Sequence, residues 1–187
     1  MIPRLSAEDL PVDIARMLQP RIERLGYLGE FFRCAAHQPA ALISFMAFTD
    51  DLKRALPDRL TETVALTVAT ELENTYEQYQ HERLCLKLEF GEAWVRAIEA
   101  RDPAGAAALT TEERAAQVLT LAVVRRSGKH TAGELEALVQ AIGHEQAIAV
   151  LMLIGRYVTH ALIVNALDLA PPVPSPLISL SRAARGG

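Results

Sequence analysis

Cysteine, aromatic side chains and clustered positive charge are all scarce in this chain of 187 residues. Its two cysteines, Cys34 and Cys85, are distant in sequence and lack the spacing of metal ligands. This argues against a disulfide framework and favours a reducing, cytoplasmic location. The net charge is −4 and no basic run is interleaved with aromatic residues, so we expect no nucleic-acid partner. Aromatic residues make up only 5% of the chain, and the abundance of alanine and leucine favours packed helices.

We also expect neither a leader peptide nor a membrane-spanning segment. The first ten residues contain acidic side chains and no apolar core, so we expect no signal peptide. The most apolar run, 147–155, is too short to cross a bilayer, and we expect no membrane partner. The helix predicted at 144–167 is apolar on nearly all sides. We interpret it as a buried helix that is shared between subunits, which predicts an oligomer.

The hydrophobic pattern predicts an all-α fold. No stretch alternates with period two for long, and no Asn-Gly or Asp-Gly hairpin signal occurs. Thr110 and Glu113 show the spacing of a capping box, and Thr131 and Glu134 repeat it. Gly91 is the expected stop of the helix that begins at Asn74. The predicted helices cover 11–19, 28–36, 39–55, 57–72, 74–90, 92–100, 110–127, 131–143 and 144–167.

The segment 74–81 carries a polar stripe with an amide, a carboxylate and an imidazole. At about 100° per residue, Asn74, Glu77 and His81 fall within roughly 60° of one another around a helix axis. A core-facing stripe is normally apolar, so this one is either a solvated face or the wall of a pocket. Another carboxylate, Glu62, lies on the helix before it.

This spacing resembles the alkylhydroperoxidase D / carboxymuconolactone decarboxylase superfamily. There a Glu ends one motif, and Cys-x-x-Cys-x-x-x-His or x-Tyr-Glu-x-x-x-His follows. This chain has Glu62, then Tyr76-Glu77, then His81, with Asn74 and Glu77 in place of the two redox cysteines. The resemblance covers about 28–170, and its further matches are PDRLTETVALTVA at 57–69, LTTEERAAQVLTLA at 109–122 and LIGRYVTHALIVNALDL at 153–169.

The resemblance implies an AhpD-like helical domain that needs no cofactor and forms a homotrimer or homohexamer. It places that domain at 28–169, after an N-terminal helix and lead-in at 1–27. A proline-rich tail follows at 170–187, and it is either an arm on a neighbouring subunit or disordered.

The resemblance also implies roles for individual residues. His81 moves a proton, Glu62 orients it or exchanges a proton with it, and Glu77 is a third site residue. Asn74 and Tyr157 are the candidate substrate-binding residues. Structural alternatives stay open from the sequence alone: an exposed Glu62 near a helix start, a surface pair of Glu77 and His81, and Asn74 as a helix cap.

A metal site and a reactive thiol are the other possible uses of these side chains. Helical di-metal proteins carry Glu-x-x-His, whereas Glu77 and His81 are four residues apart, so we predict no metal. Cys85 lies one turn beyond His81, and we interpret it and Cys34 as small buried hydrophobic residues.

The motif and the family resemblance lead to three hypotheses about function. The leading one is cofactor-free acid–base chemistry, of the decarboxylase, lyase or isomerase type, on a small organic acid or lactone. The motif itself supplies no arginine for a substrate carboxylate, and Arg59 and Arg83 are expected to lie on other helix faces. The second is a thiol antioxidant, which the missing Cys-x-x-Cys argues against. The third is a non-catalytic small-molecule binder on the same fold.

Overall fold

The computed structural model describes residues 2–178, which form α-helices and no strand. The predicted all-α class is therefore confirmed for this part of the chain. Gly143 has φ 81° and ψ 168° and breaks the last helix into two parts, close to the predicted boundary. In chain order the helices are α1 Val12–Leu25, α2 Glu30–Ala35, α3 Pro39–Ala55, α4 Asp58–Glu71, α5 Thr75–Lys87, α6 Glu92–Glu99, α7 Thr111–Arg126 and α8 Ala132–Ala166.

Three local predictions differ from the structure, each for a physical reason. The first helix continues through Pro20 to Leu25, because Ile22, beyond the proline, packs against the same buried cluster as Ile14 and Leu18. α5 ends at Lys87 rather than near 90, because Glu89 takes a left-handed conformation with φ 61°. The Thr131 side chain makes no cap and donates to the Gly128 carbonyl oxygen instead. The capping box at Thr110, by contrast, is complete.

α4 is the centre of the domain. It packs against α5, α6, α7 and α8, and all ten residues from 60 to 69 are buried. A helix that is enclosed on every side cannot send a charged side chain to solvent. Glu62, near the middle of α4, must therefore find its partners inside the protein.

A second group of buried residues joins α1, α2 and α3 to the end of α8. Ile14 and Leu18 of α1 pack in one cluster with Phe31, Leu42 and Val164. This cluster holds α1 and α3 beside α5 and α8, where all four helices contribute to the wall of one cavity.

The segment after α8 returns to the body of the domain. Leu177 is buried in a cluster with Trp94 and Cys85, and the Ser175 hydroxyl donates to the buried Glu82 carboxylate. Val173 reaches the wall of the cavity. Residues 179–187 lie outside the described part, so the expectation of an arm or a disordered tail falls largely outside it as well.

α8 is long and apolar enough to cross a membrane, with a mean hydropathy of 1.9 over its most apolar 18 residues. The expectation about length concerned the run 147–155 alone, and the structure includes that run in a longer apolar helix. However, 56% of that window is buried inside the domain, and Arg156, Tyr157 and His160 point into the interior. α8 is a core helix.

One face of α8 remains uncovered. Along it the exposed positions are apolar or small, and no charged side chain occurs among them between 146 and 166. The large members of this α8 face are Ile148, Met152, Leu162 and Ile163, which are 54%, 45%, 59% and 38% exposed. Such a continuous apolar surface is typical of an interface between subunits.

We predict that this face packs against another copy of the chain. Met152→Lys should convert the homo-oligomer to a smaller species, because it would bury an unpaired charge in the interface. Light scattering coupled to size exclusion measures the change. Gln19→Lys, which adds the same charge on exposed α1, should leave the mass of the assembly unaltered. A wild-type protein that is monomeric at micromolar concentration would contradict the prediction.

Candidate active site

Three ionisable side chains form a hydrogen-bonded row between α4 and α5. Nδ1 of His81 is 2.5 Å from Oε2 of Glu62, and its Nε2 is 3.1 Å from Oε2 of Glu77. All three are buried, with Glu62 only 2% exposed. Both ring nitrogens of His81 therefore have a carboxylate partner, and the ring is held in a single orientation.

Local sequence explains how α5 presents its two members of this row. Oδ1 of Asn74 accepts a hydrogen bond from the backbone N–H of Glu77 at 3.2 Å and caps the helix. The helix then places Glu77 and His81 one turn apart on the same face. That face lies against α4, and the buried Glu62 meets His81 from across the helix interface.

Mutual attraction decides the charge state of the row. Burial alone would lower the pKa of His81, but the carboxylates of Glu62 and Glu77 raise it to about 9. Burial would likewise raise the pKa of Glu62, yet the nearby His81 holds it below its usual range. At neutral pH His81 is therefore an imidazolium that lies between two carboxylates.

Glu77 has two further cationic or polar neighbours from α8. Its Oε1 is 3.5 Å from Nε2 of His160, and its Oε2 is 3.8 Å from Nη1 of Arg156. Burial favours the protonated acid, but His160, His81 and Arg156 together hold the pKa of Glu77 well below its usual range. Burial lowers the pKa of His160 to about 4, so at neutral pH the charges that support Glu77 are those of His81 and Arg156.

A cavity of about 520 Å³ opens beside this row. Glu77 and His81 line it, whereas Glu62 lies behind His81 and does not. The order from the interior to the cavity is thus Glu62, His81, Glu77. Most of the other lining residues are apolar, aromatic or cationic, and they include Phe31, Phe32, Met46, Leu84, Tyr157, Arg21 and Arg156.

Comparison with known proteins connects this geometry to a fold. No family model and no curated protein matches the sequence. An alkylhydroperoxidase AhpD core, a peroxidase-related protein from Ralstonia eutropha JMP134, is 18% identical with a TM-score of 0.79, covering 90% of each chain. A peroxidase-related protein from Silicibacter sp. TM1040 is 16% identical with a TM-score of 0.77, covering 93% of this chain and 91% of its own. A variant of the debrominase Bmp8 in complex with 2,3,4-tribromopyrrole is 16% identical with a TM-score of 0.73, covering 92% and 94%.

The chain has the AhpD-like fold. The fold that the motif spacing predicted is confirmed. At these identities the likeness extends to the backbone and not to the reaction, so the chemistry has to be argued from the side chains.

The AhpD-like domain brings most of the predicted site residues together. Glu62, Glu77 and His81 form the hydrogen-bonded row, and Tyr157 lines the cavity with its ring edge-on to His81 at 5.4 Å between centroids. Asn74 does not line the cavity, since its side chain is buried and caps α5. The cap thus replaces the substrate-binding role that we expected for Asn74.

The two cysteines are buried, as expected, and poorly suited to redox chemistry. Sγ of Cys85 is 3.8 Å from Oε2 of Glu62, to which it donates. Burial and the Glu62 carboxylate raise the pKa of Cys85 above its usual range, and burial also raises the pKa of Cys34. Neither thiol is therefore disposed to form the thiolate that a peroxidase needs. In residues 2–178 no group of three or more His, Cys, Asp or Glu side chains is arranged to hold a metal ion.

Sequence reasoning did not assign a site role to Arg156 or to His160. The sequence nevertheless contained an indication that both residues are buried. Arg156 is the sole charged residue between 146 and 167, and a lone arginine in an apolar helix is usually buried with a function or a partner. His160 lies one turn later on the same face. Arg83 lines the cavity as well, while Arg59 pairs with Glu113 at 2.5 Å, outside the cavity.

We predict that His81 and Glu62 titrate as a coupled pair. In nuclear magnetic resonance titrations His81 should have a midpoint near 9 in the wild type. Glu62→Gln should lower that midpoint by about one unit or more, because it removes the adjacent charge. The exposed Glu92→Gln is the matched control. Identical midpoints in all three proteins would show that the two side chains do not interact.

The same coupling predicts how stability varies with pH. The folded pKa of His81 is raised, so its stabilising contribution is complete below the unfolded value of about 6.5 and disappears as pH rises through about 9. The stability difference between wild type and Glu62→Gln should therefore shrink above pH 9 in urea unfolding experiments. A difference that stays constant from pH 6 to pH 10 would refute this linkage.

Proposed function

We propose that this domain catalyses cofactor-free proton transfer on a small organic acid or lactone, as a lyase or isomerase of the carboxymuconolactone decarboxylase-like type. The observation that supports it most is the row of Glu62, His81 and Glu77, which ends at a cavity. The row holds a carboxylate base and a protonated imidazole side by side at neutral pH. A base and an acid within reach of one substrate are what a proton shift requires.

Each member of the row has a distinct task in this proposal. Glu77 removes a proton from a carbon beside the substrate carbonyl, and the C–H electron pair moves into the carbonyl to form an enolate. His81 then donates its Nε2 proton to a different carbon of the extended enolate. The proton on Glu77 returns to the neutral His81 across their 3.1 Å hydrogen bond. In a decarboxylation His81 would instead protonate the carbon that lost carbon dioxide.

Glu62 acts through His81, so it is a positioning residue. Its hydrogen bond to Nδ1 fixes the tautomer of the ring and stabilises the imidazolium. The proton transfers by Glu77 and His81 that this arrangement supports each contribute about 10²- to 10⁴-fold to the rate.

The thiol antioxidant is the main alternative, and the peroxidase-related neighbours share the backbone. Antioxidant chemistry of this kind needs two cysteines within reach of each other. In the motif resemblance, Asn74 and Glu77 stand where the redox members have those two cysteines. A non-catalytic binder would use the same cavity without needing a proton relay. The reduced, buried cysteines are consistent with the proposed cytoplasmic location.

The proposal predicts hydrogen exchange with solvent at a substrate carbon. A panel of unsaturated lactone acids and 2-oxo acids in D₂O should include compounds whose C–H signal disappears in the presence of wild-type protein. Glu77→Gln and His81→Asn should slow this exchange about 10²-fold or more. The exposed Glu145→Gln should exchange at the wild-type rate. Exchange that is equally fast in the three single variants would defeat the proposal.

We also predict no peroxide turnover with dithiol donors. Both thiols are buried with raised pKa values, so neither supplies a reactive thiolate at neutral pH. Peroxide consumption with dithiothreitol or lipoamide should match the rate without protein. A robust rate that is lost in Cys85→Ser would identify Cys85 as a catalytic thiol and overturn this prediction.

A further inference from the structure

The cavity wall is strongly biased toward positive charge. Among the described residues that line it, six are arginine or lysine and one, Glu77, is a carboxylate. Such a bias attracts anions to the cavity mouth and raises their local concentration. The six cationic residues are Arg21, Arg24, Lys53, Arg83, Lys87 and Arg156.

Arg156 differs from the other five because it is buried and held in place. Only 8% of it is exposed, and its guanidinium lies 4.3 Å from the ring centroid of Tyr157 and 4.9 Å from that of Phe45. Its Nε donates to Oγ1 of Thr49 at 2.9 Å. These contacts fix the plane of the guanidinium at the cavity wall.

The Nη1 group of Arg156 has no hydrogen-bond partner among the described residues. Its nearest carboxylate oxygen, on Glu77, is 3.8 Å away, which is too long for a hydrogen bond. A purely structural arginine–carboxylate pair in the interior is normally bidentate at about 2.8 Å. Because a buried unpaired donor is costly, an N–H that the fold leaves unused beside a cavity indicates a ligand acceptor.

The surroundings select the chemical class of that ligand. A guanidinium edge matches the two oxygens of a carboxylate. The aromatic rings of Phe31, Phe32 and Tyr157 line the same cavity and suit a planar, apolar body. The Glu77 carboxylate beside Arg156 disfavours a doubly charged phosphate more than a singly charged carboxylate.

We propose that Arg156 binds the carboxylate of a planar organic acid and thereby orients the carbon skeleton toward Glu77 and His81. This inference rests on the proposed function for the identity of the reacting groups, but the binding event itself requires no turnover. Acids are accepted and the corresponding amides are rejected, because an amide brings no negative charge to the guanidinium. The arginine that the motif on α4 and α5 lacks is thus supplied by α8.

Calorimetric titration with benzoate as the probe tests the proposal. The wild-type protein should bind benzoate and show no binding of benzamide at the same concentrations. Arg156→Met should weaken benzoate binding about ten- to hundred-fold, the loss expected for hydrogen bonds to a charged group. Arg156→Lys, which keeps the charge without the fork, should fall between the two. Arg54→Met removes an exposed arginine outside the cavity and should bind as the wild type does.

A second measurement applies to the wild type alone, in case Arg156→Met does not fold. The guanidinium ¹⁵N resonances of Arg156 should shift during a benzoate titration and stay in place with benzamide. Absence of benzoate binding, equal affinity in wild type and Arg156→Met, or an unshifted Arg156 signal at saturation would overturn the proposal.

Glu62→Gln separates this inference from the proposed function. Glu62 does not line the cavity, so the variant should bind benzoate within about two-fold of the wild type while losing proton transfer. If benzoate binds through Arg156 and no substrate exchanges hydrogen, the proposed reaction fails and the carboxylate site stands. If a substrate exchanges hydrogen and benzoate binds equally well to Arg156→Met, the carboxylate site fails and the proposed reaction stands.

Discussion

The enclosure of α4 on all sides is the constraint on which the candidate site depends. An ionised carboxylate in the middle of such a helix is tolerated only with a close partner of opposite charge. Glu62 finds that partner in His81, and His81 in turn shares its second nitrogen with Glu77. The row of three side chains is therefore a direct consequence of one acidic residue in the buried stretch 60–69 of α4, whose other members are apolar or carry a hydroxyl group.

Such a buried row is a costly way to stabilise a protein. Desolvation of the ions offsets much of their attraction, and removal of one partner from a buried pair destabilises by about 3–5 kcal/mol. A set of well-packed apolar side chains would hold α4 against α5 without the desolvation cost of buried ions. The presence of an ionic row beside a cavity is thus better explained by its chemistry than by its contribution to folding.

Asn74 and Glu77 have different places in the AhpD-like fold, although they are only three residues apart. Asn74 caps α5 and so fixes its first turn, while Glu77 extends from that turn toward the cavity. α8 completes the arrangement, since one of its faces supplies Arg156, Tyr157 and His160 while Ile148, Met152 and Leu162 on another face stay exposed.

The sequence by itself determined the helical class, most helix boundaries and the placement of Glu77 and His81 on one stripe of a helix. These depend on periodicity and spacing, which are local properties of the chain. The expectation that Glu62 joins them in one site came from the family resemblance. Tertiary structure decided the rest. Whether burial or attraction controls the charge of His81 depends on its distance from Glu62 on the neighbouring helix. Whether the Asn74 side chain caps α5 or faces the cavity depends on its geometry in the folded turn. Arg156 is far from Glu77 in sequence, and only the packing of α8 against α4 brings its guanidinium to the cavity. The sequence could not show this, because long-range contacts leave no periodic pattern.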